Sequence, residues 1–146
     1  GGLRAWSAGP RQNLALVIVL DQFSRNLFRD DPRAWGCDPA AQILSLAALA
    51  RGDATALRPF EAAFLAMPLM HAEDLELQER CVHFFEELAR NTPPALSTQI
   101  AGNVRFAVAH RDIVARFGRF PHRNEALGRP STSEESEFLQ QPGSSF

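Results

Sequence analysis

Three stretches of this 146-residue chain combine side chains that titrate near neutrality with side chains that grip anions. The densest is HRDIVARFGRFPHRNEALGR at 110–129. There His110, Asp112, Arg119, His122, Arg123 and Asn124 flank an FGRFP turn. The second is MPLMHAED, with His71, Glu73 and Asp74. The third is LDQFSRNLFR, with Asp21, Arg25, Asn26 and Arg29. Histidine moves protons near pH 7. Arginine presents a planar fork that takes carboxylate or phosphate through two bonds. His110 and His122 are therefore the candidate acid and base. Asp21, Arg25, Asn26, Arg29, His71, Glu73, Arg119, Arg123 and Asn124 form the candidate ligand-binding set. The spacing of Asp21 and Arg25 places them on one helix face, with Asp21 fixing the guanidinium fork. A solvated surface ion pair would explain the same spacing.

Composition narrows the chemistry. All 15 basic residues are Arg, so lysine Schiff-base and lysine-nucleophile mechanisms are excluded. His110-Arg111-Asp112 spells the kinase catalytic tripeptide, but no Gly-rich loop and no lysine accompany it. No serine stands in a G-x-S-x-G elbow, and Ser144-Ser145 beside the terminus is a poor place for a nucleophile. No spacing matches H-E-x-x-H or another compact ligand set, so the sequence implies neither a metal nor a cofactor. A net charge of -2 and a pI near 6.1 give no basic field, which argues against nucleic acid and anionic membrane as partners. The longest apolar run, Leu14–Leu20, is too short to span a bilayer. Cys37 and Cys81 lack C-x-x-C spacing, so a reduced, cytoplasmic setting is expected.

These groups need a scaffold, and the periodicity predicts helices. Pro10 suits the first turn of a helix that runs to Asp30, where Asp31-Pro32 stops it. Its stripe Leu16, Leu20, Phe23 and Leu27 should face a core. Asp38 reads as an N-cap before Pro39, opening a helix to Arg51 closed by Gly52. A short helix Pro59–Met67 should end at Pro68, with Phe60, Phe64 and Met67 on one face. The next, Ala72–Arg90, has Glu73 and Asp74 in its first turn and one polar residue, Gln78, in its apolar stripe. Leu96–Phe117 follows, with Gly118 as a left-handed cap. Capping boxes Thr132-x-x-Glu135 and Ser131-x-x-Glu134 start a last short helix. The tail 142–146 should run extended, its terminal Phe146 docked or hanging. Short links make neighbouring helices antiparallel. The expected fold is all-α: stacked antiparallel helical hairpins in a tetratricopeptide-like α-α superhelix, one domain over 1–146.

LDQFSRNLFR at 20–29, FLAMPLMHAEDLELQER at 64–80, the 110–129 stretch and STSEESEFLQQPGSSF at 131–146 together closely resemble the bacterial family called domain of unknown function 924. The resemblance covers essentially the whole chain and implies a tetratricopeptide-like helical shape. It also implies that a further N-terminal segment, usual in the family, is missing ahead of Gly1-Gly2. Ser24 and Ala72 depart from the family's more usual Pro and Ser. The resemblance implies no activity.

Two functional readings follow. In the first, the protein binds a protein partner or peptide, with Arg25, Arg29, Arg119 and Arg123 gripping an acidic segment in a helical groove. In the second, a small anionic ligand is held by arginines and worked on by His110 or His122. They separate on one geometric question: whether Arg25, His71, His110 and His122/Arg123 converge on one cavity.

Overall fold

The computed structural model describes residues 9–145, and every regular element in that range is helical. Helix α1 occupies 10–27. It begins as Pro10–Val17, widens into a π-helical stretch Ile18–Phe23 and closes as Ser24–Leu27. Then come α2 (Asp38–Ala50), α3 (Pro59–Met70), α4 (Leu75–Asn91), α5 (Pro94–Phe117) and α6 (Ser133–Leu139). Short 3₁₀ turns lie at Pro32–Ala34, Asp53–Ala56 and Pro121–Arg123. Consecutive helices from α2 to α5 pack on one another through short links, and α1 lies against α2 and α3. Helix α3 is central, because it also touches α5.

Small residues allow that central position. Ala63, Ala66, Leu69 and Met70 of α3 meet Cys81, Val82 and Phe85 of α4 and Ala107 of α5. Its other side, through Leu65, meets Leu14 and Val17 of α1 and Ala48 of α2. A third cluster, Ile113, Val114 and Phe120 with Phe117 and Phe138, holds the corner after α5 and the last helix. Among the described residues no helix is long and apolar enough to cross a membrane.

Two expectations are corrected. Pro68 does not end α3, which runs on to Met70. An interior proline costs about 3 kcal/mol. Burying Leu69 and Met70 each contributes about 1.5–3 kcal/mol, which offsets that cost. The Phe60/Phe64 face of α3 turns outward, with the two rings 37% and 40% exposed, while its alanines pack inward. In α1, Phe23 and Leu27 are 52% and 72% exposed rather than in the core. The π turn holds extra chain per turn, so residues beyond it are rotated off the stripe that Leu14 and Leu16 begin.

Gln78, the polar residue in the α4 stripe, is fully buried and donates from Nε2 to the carbonyls of Met70 and Ala72 at 2.7 and 2.8 Å. It satisfies the carbonyls that the end of α3 leaves open. Gly118 adopts φ 69° as the cap of α5, its N–H reaching Val114 O at 2.7 Å. Thr132 and Glu135 make the predicted reciprocal cap on α6. Ser131 makes no second box; its hydroxyl instead accepts from Asn124 at 3.1 Å. The Gly1-Gly2 start and Phe146 lie outside the described residues.

Candidate functional site

The end of α1, the α3–α4 link, α5 and the 120–126 corner surround a cavity of about 1040 Å³. Of the predicted residues, Arg25, Asn26, Arg29, His71, His110, His122 and Arg123 line it. Gln22, Asp30, Trp35, Met67, Glu125 and, at the tail, Ser145 also stand in the wall. The separation of these groups in sequence is closed by packing: α3 delivers His71 at its C-terminus, and α5 and Gly118 deliver His110 and the corner.

Beneath the cavity lies a buried ionic relay. The π turn of α1 points Asp21 inward, where it is fully buried. His71 Nδ1 lies 2.7 Å from Asp21 Oδ1. Burial raises the Asp21 carboxyl, but the bond from His71, the neighbouring charges of His71 and Arg25 and the bond from Gln22 outweigh it, so its pKa falls below 3.8. An ionised carboxylate only accepts, so Nδ1 carries the proton and Nε2 is the basic nitrogen of the His71 ring. Burial drives the His71 pKa below 6.5 against the pull of Asp21, which leaves the imidazole neutral at pH 7.

Arg25 differs from the sequence expectation. Its fork is fixed by Asp38, at 2.8 Å for both Nη1–Oδ1 and Nη2–Oδ2, and Asp21 contacts only Nη1 at 3.0 Å. Asp38 is not the N-cap of α2; Cys37 takes that place. The Asp38 carboxylate is spent on Arg25 and, at 3.5 Å, on Arg123. Arg123 also donates to the His71 carbonyl at 3.0 Å and rides over the Phe120 ring, 4.5 Å from its centroid. Burial lowers its pKa to about 10, and its Nε meets no partner.

The other two histidines of the cavity are neutral as well. His110 Nδ1 donates to Phe106 O at 2.7 Å, and burial brings its pKa to about 4. Burial, then the charge of Arg123, brings His122 to about 4, and its Nδ1 is buried without a partner. The His71 and His110 rings stand 6.3 Å apart.

Four predicted residues do not line the cavity. Asp21 supports it from below. Glu73 takes both terminal nitrogens of Arg129, at 2.6 and 2.9 Å, and the Phe120 N–H at 2.8 Å. Arg119 is held by both oxygens of Glu135 and by Pro130 O. Asn124 is buried against Ser131, Glu135 and Arg129. These three pin the 118–135 segment because their long or amide side chains find ion-pair and hydrogen-bond partners within it. Among the described residues no three His, Cys, Asp or Glu side chains are placed to hold a metal, and Glu73 is turned to Arg129 rather than toward His71. Sequence reasoning missed Asp38 and Trp35. A carboxylate ahead of proline reads as a cap, and no local signal announces a partner 85 residues away.

The model of a family of bacterial proteins of unknown function, DUF924, matches residues 1–143. The structure of ATU0120, a protein of unknown function from Agrobacterium tumefaciens, is similar at 37% identity and a TM-score of 0.82, over 94% of this chain and 72% of that one. No curated protein matches the chain.

Proposed function

The chain belongs to the DUF924 family of bacterial proteins, and we infer from its geometry that it binds a small anionic molecule in the cavity under α1, with arginine anchors and histidine acid/base groups. One observation carries this reading. Arg25, Arg29, His71, His110, His122 and Arg123, drawn from four separate parts of the chain, line a single space of about 1040 Å³. Concave sites with few convergent polar groups and shifted pKa values favour small ligands.

Arg29 is the anchor at the mouth. Among the described residues it has no carboxylate partner, so its fork is open to a ligand. The peptide-binding reading has weaker support. Arg119 is held by Glu135, Arg25 by Asp38, and Arg123 is 5% exposed. That leaves Arg29 as the one guanidinium of the proposed row with neither burial nor a partner among the described residues.

The test is calorimetric titration of the protein with acetate, butyrate, glutarate and inorganic phosphate, repeated with Arg29→Ala and His122→Ala. Binding of at least one anion, weakened about tenfold or more by each change with melting temperature retained, is the expected result. No heat with any of the four, or affinity untouched by both substitutions, would sink the reading.

A further inference from the structure

The anion reading leaves one feature without a role. A binding site needs no buried carboxylate behind a histidine that faces the ligand space. Yet Asp21, at 0% exposure, holds His71 Nδ1 at 2.7 Å while His71 lines the cavity. Several devices fix this arrangement. The π turn aims Asp21 inward; Arg25, through Nη1, holds both its backbone carbonyl and Oδ1; Gln22 bonds Oδ2 at 2.6 Å. An oriented, neutral imidazole with a carboxylate on Nδ1 is the base half of a hydrolytic triad.

We propose that the Asp21–His71 pair is the general base of a hydrolytic site, with His71 as catalytic residue and Asp21 positioning it, and that the substrate is a small carboxylic ester bearing one negative charge. This rests on the anion-binding reading of the same cavity. The charge follows from the surroundings. Three guanidiniums, Arg25, Arg29 and Arg123, meet four carboxylates: Asp21 and Asp38 below, Asp30 and Glu125 in the wall. Arg25 and Arg123 are already spent on Asp38, so Arg29 alone is left open among the described residues; one open guanidinium suits a monoanion, while Asp30 and Glu125 oppose the second charge of a phosphate dianion. Water is the nucleophile. The one hydroxyl in the wall, Ser145, makes no hydrogen bond with His71.

The step balances as ester hydrolysis. His71 Nε2 takes a proton from water, and the O–H bonding pair stays on oxygen. That oxygen bonds to the ester carbonyl carbon, whose π pair moves onto the carbonyl oxygen beside Arg123. Collapse of the intermediate breaks the bond to the leaving alkoxide, which takes the proton back from Nε2. Asp21 offsets the imidazolium charge throughout.

The test uses the full chain with 4-nitrophenyl hydrogen adipate, which carries one charge, and with 4-nitrophenyl phosphate. The expected result is hydrolysis of the adipate ester, lowered about 100-fold by His71→Gln and at least about tenfold by Asp21→Asn, with the phosphate left intact. The groups facing His71 are Asp21 and Arg25 of α1, Asp38 of α2, His110 of α5, and His122 and Arg123 of the corner. With His71 as base, the rate is level through neutral pH and falls only in acid. Equal rates in wild type and His71→Gln would overturn the proposal. So would preferred cleavage of the phosphate. If monomethyl adipate binds but its nitrophenyl counterpart is not hydrolysed, catalysis fails and anion binding stands; if neither occurs, both fail. Nitrogen-15 NMR of unsubstituted protein removes any dependence on variant folding. His71 must show protonated Nδ1 and bare Nε2 at pH 7, and the opposite tautomer ends the idea.

Discussion

Asp38 carries more of the site than its neighbours in sequence suggest. Its two oxygens hold Arg25 in parallel at 2.8 Å and reach Arg123 at 3.5 Å, with all three side chains largely out of water. Removing one member of a buried ion cluster strands the rest, at about 3–5 kcal/mol. Asp38→Ala should therefore lower the urea-unfolding free energy by about 3 kcal/mol and the melting temperature by roughly 10 °C. A loss below about 1 kcal/mol would show the cluster to be solvated. His110 makes a prediction of different sign structure. In the folded chain burial brings its pKa from 6.5 to about 4. As pH falls below 6.5 the unfolded chain takes up the proton first, so stability drops between pH 6.5 and 4 and this group adds nothing further below that. The whole loss is on the order of 3 kcal/mol. His110→Leu should make that part of a stability-against-pH curve shallower, with His71 and His122, both also lowered by burial, keeping the remaining slope. The carboxylates Asp21, Glu73 and Glu135, all held below their ordinary values, lose their contribution at lower pH as they protonate.

Between elements, one carboxylate ties the corner after α5 to the start of α4. Glu73 precedes α4, yet it grips Arg129 with two bonds and the Phe120 amide with one. Glu73→Ala should leave α4 and α5 intact and free the corner. Amide hydrogen exchange at Phe120 should quicken by about 30-fold, the equivalent of the roughly 2 kcal/mol that charge-assisted bonds contribute. Unchanged protection at Phe120 would mean that the ring's burial alone holds the turn. The same residue shows what was legible in the sequence. Features fixed by neighbours along the chain were readable: Gly118 as a left-handed cap, the Thr132–Glu135 box, and, among the described residues, six helices where periodicity and breakers predict four long ones and two short ones. The residue types of the site were readable too, because His, Arg and Asp cluster in three stretches. Pairings were not. Asp21 and His71 meet across 50 residues, and Arg123 and Asp38 across 85. Both depend on how α1, α2 and α3 stack. The π turn, which decides where Asp21 points, left no mark in the apolar spacing, and for that reason Phe23 and Leu27 were assigned to the wrong face.

Across the whole molecule, the cavity sits where four separate parts of the chain meet. It is bounded by α1, the α3–α4 link, α5 and the corner, so a bound molecule would tie together parts that lie far apart in the sequence. A ligand that binds only the folded chain stabilises it by mass action, about 2.7 kcal/mol at a concentration one hundred times its Kd. For a domain of this length that is a rise of roughly 5–10 °C in melting temperature. Monomethyl adipate should produce such a rise, growing with the logarithm of its concentration. Inorganic phosphate should produce less, because the wall sets Asp30 and Glu125 against a second charge. Arg29→Ala, by weakening binding about tenfold or more, should cut the shift to about half or less while leaving the melting temperature without ligand unchanged, since Arg29 is exposed and bonds to nothing among the described residues. A rise of full size in Arg29→Ala would place the anion elsewhere on the protein. A melting temperature indifferent to both anions would mean that the arginines and histidines converge to hold helices together and not to hold a ligand.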